Sequence, residues 1–174
     1  MPKRLKLFII PFIAIILLVV PVTDTITIKS EKENKLLAYF PLRAADSRFE
    51  IVYNHSIHHS EVTEAYQVLE NGVIRQMELE YEDTAVGMPS NAEEGETFQM
   101  KDGKYYIRNM NRDFSWIDLS TGQVSADHRL VVGEKVTPFS EITEPGSVVR
   151  IEKRKLSLWQ QWKGVNIVGR KTDP

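Results

Sequence analysis

The sequence predicts an all-β fold, an antiparallel β-sandwich or partly open barrel, behind an N-terminal transmembrane anchor helix. Three observations carry this prediction. Apolar residues beyond position 23 recur mostly with period two, and turn signals arrive about every eight to twelve residues. Asn71-Gly72 and Asp102-Gly103 each stand between alternating apolar stretches, where a tight hairpin needs residues that tolerate positive φ. Finally, a basic opening, "MPKRLK", precedes sixteen uninterrupted apolar residues from Leu7 to Val22.

As a helix the apolar run reaches about 24 Å, close to a hydrocarbon core of about 30 Å. It lacks a polar face to offer water, so it is no ordinary core helix. Val20 and Val22 stand where a signal peptidase prefers small side chains, which favours an uncleaved anchor over a cleaved signal and secretion. Residues 1–23 are thus the signal-anchor or signal peptide, and 24–174 the extracytoplasmic all-β domain. The basic residues before the run stay in the cytoplasm, making a single-pass protein of the cell membrane with its C-terminal domain outside. Of 22 basic residues three precede the run, leaving 19 against 24 acidic ones and a formal charge of −5. That balance argues against nucleic acid as a partner. The absence of cysteine removes disulfides, thiolate metal sites and cysteine nucleophiles.

Along the domain, "TITIK" and "LLAYF" read as two strands joined by the charged "SEKENK". In "RFEIVYNHSI" the residues Phe49, Ile51, Tyr53, His55 and Ile57 share one strand face. After His58 and His59 the apolar parity changes to Val62, Tyr66 and Val68, with Glu64 among them. A two-residue turn at His58-His59 accounts for the change and sets Tyr53 opposite Glu64, His55 opposite Val62 and Ile51 opposite Tyr66. A type I′ turn at Asn71-Gly72 then sets Tyr66 opposite Met77, Glu64 opposite Leu79 and Val62 opposite Tyr81, completing a three-stranded meander from Phe49 to Tyr81. Another hairpin turns at Asp102-Gly103, bringing Phe98 and Met100 against Ile107 and Tyr105. "FSWIDL", "HRLVVGEKV", "GSVVRIEKRKLSLW" and "GVNIVGR" supply the remaining pieces, and no long amphipathic helix follows the anchor.

The chemistry of interest lies in "YNHSIHHSEVTEAY", which holds three of the four histidines. The two turns together point Glu64 into the core, where a lone charge is costly and must find partners or a proton. Tyr53 and His55 share its face, so a His-Glu-Tyr cluster is expected, either a satisfied polar network or a ligand site. His55, His58, His59 and Glu61 are the metal-ligating candidates, although adjacent histidines at a turn point in different directions. Ser56 is badly placed for activation by His55, since neighbours on a strand face opposite ways, and no G-x-S-x-G or H-E-x-x-H motif is present. Asp127-His128 is a further acid-histidine pair, adjacent in sequence only. Gly87-Met88-Pro89 closes the meander with a turn whose backbone can approach a ligand. "KRKLSLWQQWKG" combines basic residues with Trp159 and Trp162, a composition suited to a membrane surface, with core packing of the indoles as the commoner explanation.

The stretch "FEIVYNHSIHHSEVTEAYQV", continued by "GMP", "RLVVG" and "GSVVRIE", is similar to a family of small exported bacterial proteins, the domain of unknown function 1850. The resemblance covers most of Phe49 to Val168. It implies that Tyr53, His55, Ser56, Val62, Glu64, Gly87, Met88 and Pro89 are the characteristic positions. It implies no activity, but a place beside tripartite ATP-independent periplasmic (TRAP) transporters of the TAXI type, next to a solute receptor and a permease. Asn54 and the additional His58 and His59 depart from the family pattern.

The resulting expectation is a membrane-anchored extracytoplasmic accessory domain of a TAXI-type TRAP system, a binding or interaction module without cofactor and not an enzyme. Its partners would be the solute receptor or permease subunit, the membrane through the N-terminal helix, and a small solute. The ligand or partner-binding candidates are Tyr53, His55, Ser56, Glu64, Tyr66, Gly87, Met88 and Pro89. The alternatives are a small-ligand or metal-binding sensor built on His55 and Glu64, a weak hydrolase, and a purely structural envelope protein.

Overall fold

The computed structural model describes residues 16, 18–42, 47–57, 59–82, 88–122 and 126–169. The apolar run from Leu7 to Val22 lies largely outside them. Among the described residues, no helix is long and apolar enough to cross a membrane.

The described chain is mostly β. In order it forms β1 (Thr23–Ser30), β2 (Leu36–Pro41), β3 (Arg48–Asn54), β4 (Glu61–Val68), β5 (Ile74–Tyr81), β6 (Thr97–Lys101), β7 (Lys104–Phe114), β8 (Ile117–Ser120), β9 (Arg129–Val132), β10 (Lys135–Pro138), β11 (Val148–Leu156), the short helix α1 (Leu158–Lys163) and β12 (Val165–Asn166). They make two sheets, one of five strands in the order β12-β2-β1-β11-β8 and one of seven in the order β10-β9-β3-β4-β5-β7-β6.

The sheets share one core. Ile26, Ile28, Ala38, Phe40, Val149 and Ile151 of the smaller sheet join Phe49, Ile51, Tyr66, Val68, Ile74 and Leu130 of the larger in a single apolar cluster. Alternation along each strand supplies these residues, since every second side chain faces the same way. β1 is central and also buries Thr25 and Thr27. Their hydroxyls donate to the Arg154 and Glu152 carbonyls at 2.8 and 3.2 Å, so burying them leaves no orphaned donor. A second cluster, Val62, Leu79, Tyr81, Ile107 and Met110, extends the apolar face of the larger sheet, with Met88 and Phe98 packed against it. Tyr53 touches both clusters.

The meander β3-β4-β5 forms as the apolar parity predicts, but its first hairpin has a different register. Tyr53 pairs with Val62, Ile51 with Glu64 and Phe49 with Tyr66. Each pairing is displaced by two residues from the expected one. The cause is the loop: the His55 amide donates to the Ser60 carbonyl at 2.8 Å and the His59 amide to the His55 carbonyl at 2.9 Å. The chain therefore closes across His55 and Ser60, with His59 at φ 54°, through a longer loop and not through a two-residue turn. A shift of two leaves the paired side chains on their original faces, so Phe49, Ile51, Val62, Tyr66 and Val68 are buried as expected, whereas Ile57, expected on the same face, is exposed in the loop.

The second hairpin pairs Val62 with Tyr81 and Glu64 with Leu79, as expected. Beyond Ala65 a bulge shifts the register by one, so Tyr66 faces Gln76 and not Met77 as expected, and Gln76 takes the buried place. Its turn is a three-residue loop closed by the Leu69 amide on the Val73 carbonyl at 2.8 Å. Only Gly72 takes positive φ, at 93°, so the expected type I′ turn is replaced by the bulged form in which glycine alone is required. The hairpin at Asp102-Gly103 is the tight one, with φ of 53° and 80°, and it sets Phe98 opposite Ile107 and Met100 opposite Tyr105.

Candidate functional site

Glu64 lies on the inward face of β4 between Val62, in the second cluster, and Tyr66, in the first. Two phenols hold its carboxylate. Tyr66 Oη donates to Oε2 at 2.6 Å and Tyr53 Oη to Oε1 at 3.4 Å. Tyr66 is the same-face neighbour two residues along β4, and Tyr53 lies diagonally across on β3. No ion pair of Glu64 is present among the described residues. Burial holds the Glu64 carboxyl above the usual carboxylate range, against the lowering effect of the Tyr66 and then the Tyr53 hydrogen bonds. Burial likewise raises both phenols, and the neighbouring Glu64 charge raises them further. The three groups thus favour a state in which the phenols keep their protons and donate them to one carboxylate.

His55 does not join this cluster as expected. It stands opposite Ser60 while Glu64 stands opposite Ile51, four residues back along the strand, or about 13 Å at 3.3 Å per residue. Its Nδ1 accepts from the Ile57 amide at 3.4 Å, a ring turned onto its own loop. Ser56 is exposed in that loop. Glu61 is engaged at 2.8 Å by Arg129 from β9. His58 lies outside the described residues, and among those described no three His, Asp or Glu side chains are grouped to hold a metal ion.

Met88 and Pro89 are brought to the site, while Gly87 lies outside the described residues. Met88 packs on the cluster that contains Val62 and Tyr53, and Tyr81 Oη donates to the Pro89 carbonyl. Met88 and Pro89 therefore sit over the same apolar cluster that Tyr53 packs against. Burial raises the Tyr81 phenol, with a further contribution from Tyr105, which stacks on it at 5.5 Å.

His128 is the residue that sequence reasoning left unplaced. Its ring stacks on Tyr53 at 5.3 Å and 23°, on the side away from Glu64's strand. The Gly122 amide donates to His128 Nδ1 at 3.3 Å, which leaves the remaining proton of the neutral ring on Nε2. Burial lowers the His128 pKa, only partly opposed by Asp127. A cleft of about 250 Å³ opens against this ring, lined also by Thr121, Asp127, Phe139 and Thr143. From this cleft, a ring stack joins His128 to Tyr53, and hydrogen bonds join Tyr53 and Tyr66 to Glu64 at the seam between the two apolar clusters.

A family model described as domain of unknown function (DUF1850) matches residues 49–139, more than half of the chain. The chain belongs to the DUF1850 family. Comparison with curated proteins and with solved structures gave no match.

The matched span takes in the seven-stranded sheet except for Arg48 at the start of β3, together with β8. The whole Tyr53-Glu64-Tyr66 cluster, Met88, Pro89 and His128 therefore lie inside the DUF1850 region. The other wall of the shared core, from β1, β2 and β11, is supplied from outside it. Tyr66 as the closest partner of Glu64 was legible from spacing alone, since i and i+2 share a strand face. His128 was not, because it reaches Tyr53 only through the pairing of β9 with β3.

Proposed function

We propose that this DUF1850 protein is a membrane-anchored, extracytoplasmic accessory domain of a TAXI-type TRAP transport system. It works as a binding module that contacts the solute receptor or the permease subunit. The observation that carries the binding role is the Glu64 carboxylate, partly buried, held by two neutral donors and matched by no cation among the described residues. A carboxylate offers about four acceptor sites, and two are used. The remaining capacity suits an N–H or cationic group brought by a partner. Such a contact also relieves the cost of holding the charge away from water. The sixteen-residue apolar run supports the address, because it ends directly at β1 and keeps the domain beside a membrane partner, where local concentration is high. The similarity of "YNHSIHHSEVTEAY" and "GMP" to companions of these transporters supports the choice of system.

The test is co-purification. Tagged full-length chain, expressed with the receptor and permease and extracted from membranes, should retain one of those subunits. Glu64→Gln should lose it while keeping a cooperative melt. Recovery of neither subunit with the wild-type chain would remove the transporter role, and undiminished recovery with Glu64→Gln would remove Glu64 from the contact.

A further inference from the structure

The structure settles the surroundings of Trp159 and Trp162 against core packing. Both indoles are exposed, Trp159 at 46 % and Trp162 at 77 % of its surface. They sit on α1, a single capped turn and a half in which Ser157 and Gln160 exchange a capping-box pair of hydrogen bonds. Their rings lie 5.2 Å apart, and Lys163 Nζ stands 4.9 Å from the Trp159 centroid. Exposed Leu158, Val165 and Val168 flank them in sequence.

The location is as informative as the composition. α1 follows the end of β11, and that end pairs with the start of β1, Leu156 against Thr23. Gln161 Nε2 donates to Thr23 Oγ1 at 3.0 Å and the Val22 amide to the Leu156 carbonyl at 3.3 Å. The indoles are therefore pinned to the point where the apolar run enters the domain. Exposed Val19, Val20 and Val22 continue the apolar surface there. From Lys153 to Lys171 the sequence carries six basic residues and no acidic one. Asp24 and Glu152 offset part of that charge, near Lys155 at 4.0 Å and Arg154 at 2.9 Å, and no ion pair of Lys163 is present among the described residues.

We propose that α1 is an interfacial clamp: Trp159 and Trp162 insert into the headgroup region of the bilayer that the N-terminal run enters, with Lys163 on anionic headgroups. Indoles partition to this layer because it receives both an apolar ring and an N–H donor. Basic side chains near an anionic leaflet each add attraction that fades within a Debye length. With the chain tethered at Thr23 and clamped at α1, the domain is held by two adjacent points and cannot swing freely about the anchor. The clamp rests on the anchor reading above.

The experiment places full-length protein in vesicles of phosphatidylcholine with about a quarter phosphatidylglycerol, some lipids carrying bromine high in the acyl chain. Trp162 is read alone in the double variant Trp116→Phe, Trp159→Phe, and Trp116 alone in Trp159→Phe, Trp162→Phe. Trp116 is a suitable reference: it is 48 % exposed, and the adjacent Ile117 pairs with Ile151, five residues from Leu156, or about 17 Å along β11. Bromine should quench Trp162 by about two-fold or more over Trp116, with blue-shifted emission. The unmodified chain should show quenching of its total emission intermediate between the Trp116 and Trp162 values, and Trp162→Ser should reduce it. Protein that survives an alkaline carbonate wash yet shows equal quenching at both positions overturns the clamp alone. So does a blue-shifted but unquenched Trp162, the signature of a protein partner or a second copy. Protein stripped by the wash overturns the anchor reading and the clamp with it.

Discussion

The hydroxyl of Tyr66 donates to the Glu64 carboxylate at 2.6 Å, between two side chains on one face of a single strand. The second donor, Tyr53, stands off at 3.4 Å. That difference in length predicts an order of importance. Tyr66→Phe removes the short, charge-assisted bond and leaves the carboxylate with one long one, so it should destabilise the fold by about 1–3 kcal/mol. Tyr53→Phe should cost less, about 1 kcal/mol or below, because its ring still packs in both apolar clusters. Denaturant titration of the two variants in parallel checks this, and equal losses would mean that the two phenols hold Glu64 equally.

Glu64 sets a pH dependence whose sign follows from its raised pKa. Protonation is easier in the folded chain than in the unfolded one, so the native state binds the proton more tightly. Its contribution to stability is fully present below the ordinary value of 4.5 and is lost as pH rises through the raised folded value. Glu64→Gln cannot titrate. The stability of this variant relative to wild type should therefore increase between about pH 4 and about pH 8. Unfolding free energies of both proteins across that range measure it, and a constant difference would show that Glu64 titrates alike folded and unfolded.

His128 contributes with the opposite sign. Its folded pKa lies below the ordinary 6.5, chiefly through burial, so the neutral ring is the one the fold accepts. Stability from this ring is present above pH 6.5 and lost as pH falls through the folded value. His128→Phe keeps the stack on Tyr53 and removes the titration, so it should flatten the acid side of the profile. The imidazole can be followed directly by NMR, where a midpoint at or above the ordinary value would contradict its burial.

Which side chains face inward was readable from the sequence for β3 and β4 and for Leu79 and Tyr81 of β5, but not for Met77, whose inward place the bulge gives to Gln76, nor for Ile57, which is exposed in the loop. Alternation is a local property, and the switch from odd to even apolar positions marks a turn whatever its length. Which inward residues meet was not readable for the first hairpin. It depended on how many residues the loop around His55 to Ser60 consumed, and a two-residue difference put Ile51 directly opposite Glu64 and moved Tyr53 to the diagonal position. The Asp102-Gly103 hairpin shows the converse case, where both turn residues take positive φ and the register followed from the dipeptide.

The sequence by itself determined a mostly β domain behind an apolar, basic-flanked run, an inward glutamate and the family to which the chain belongs. Each of these rests on short-range pattern or composition. Only the tertiary structure decided that His55 stands away from Glu64, that His128 stacks on Tyr53, and that Trp159 and Trp162 face outward at the entry to β1. The physical reason is common to all three. Each depends on register or on pairing between strands distant in sequence, β9 on β3 and β11 on β1, where a shift of a single residue turns a side chain to the other face.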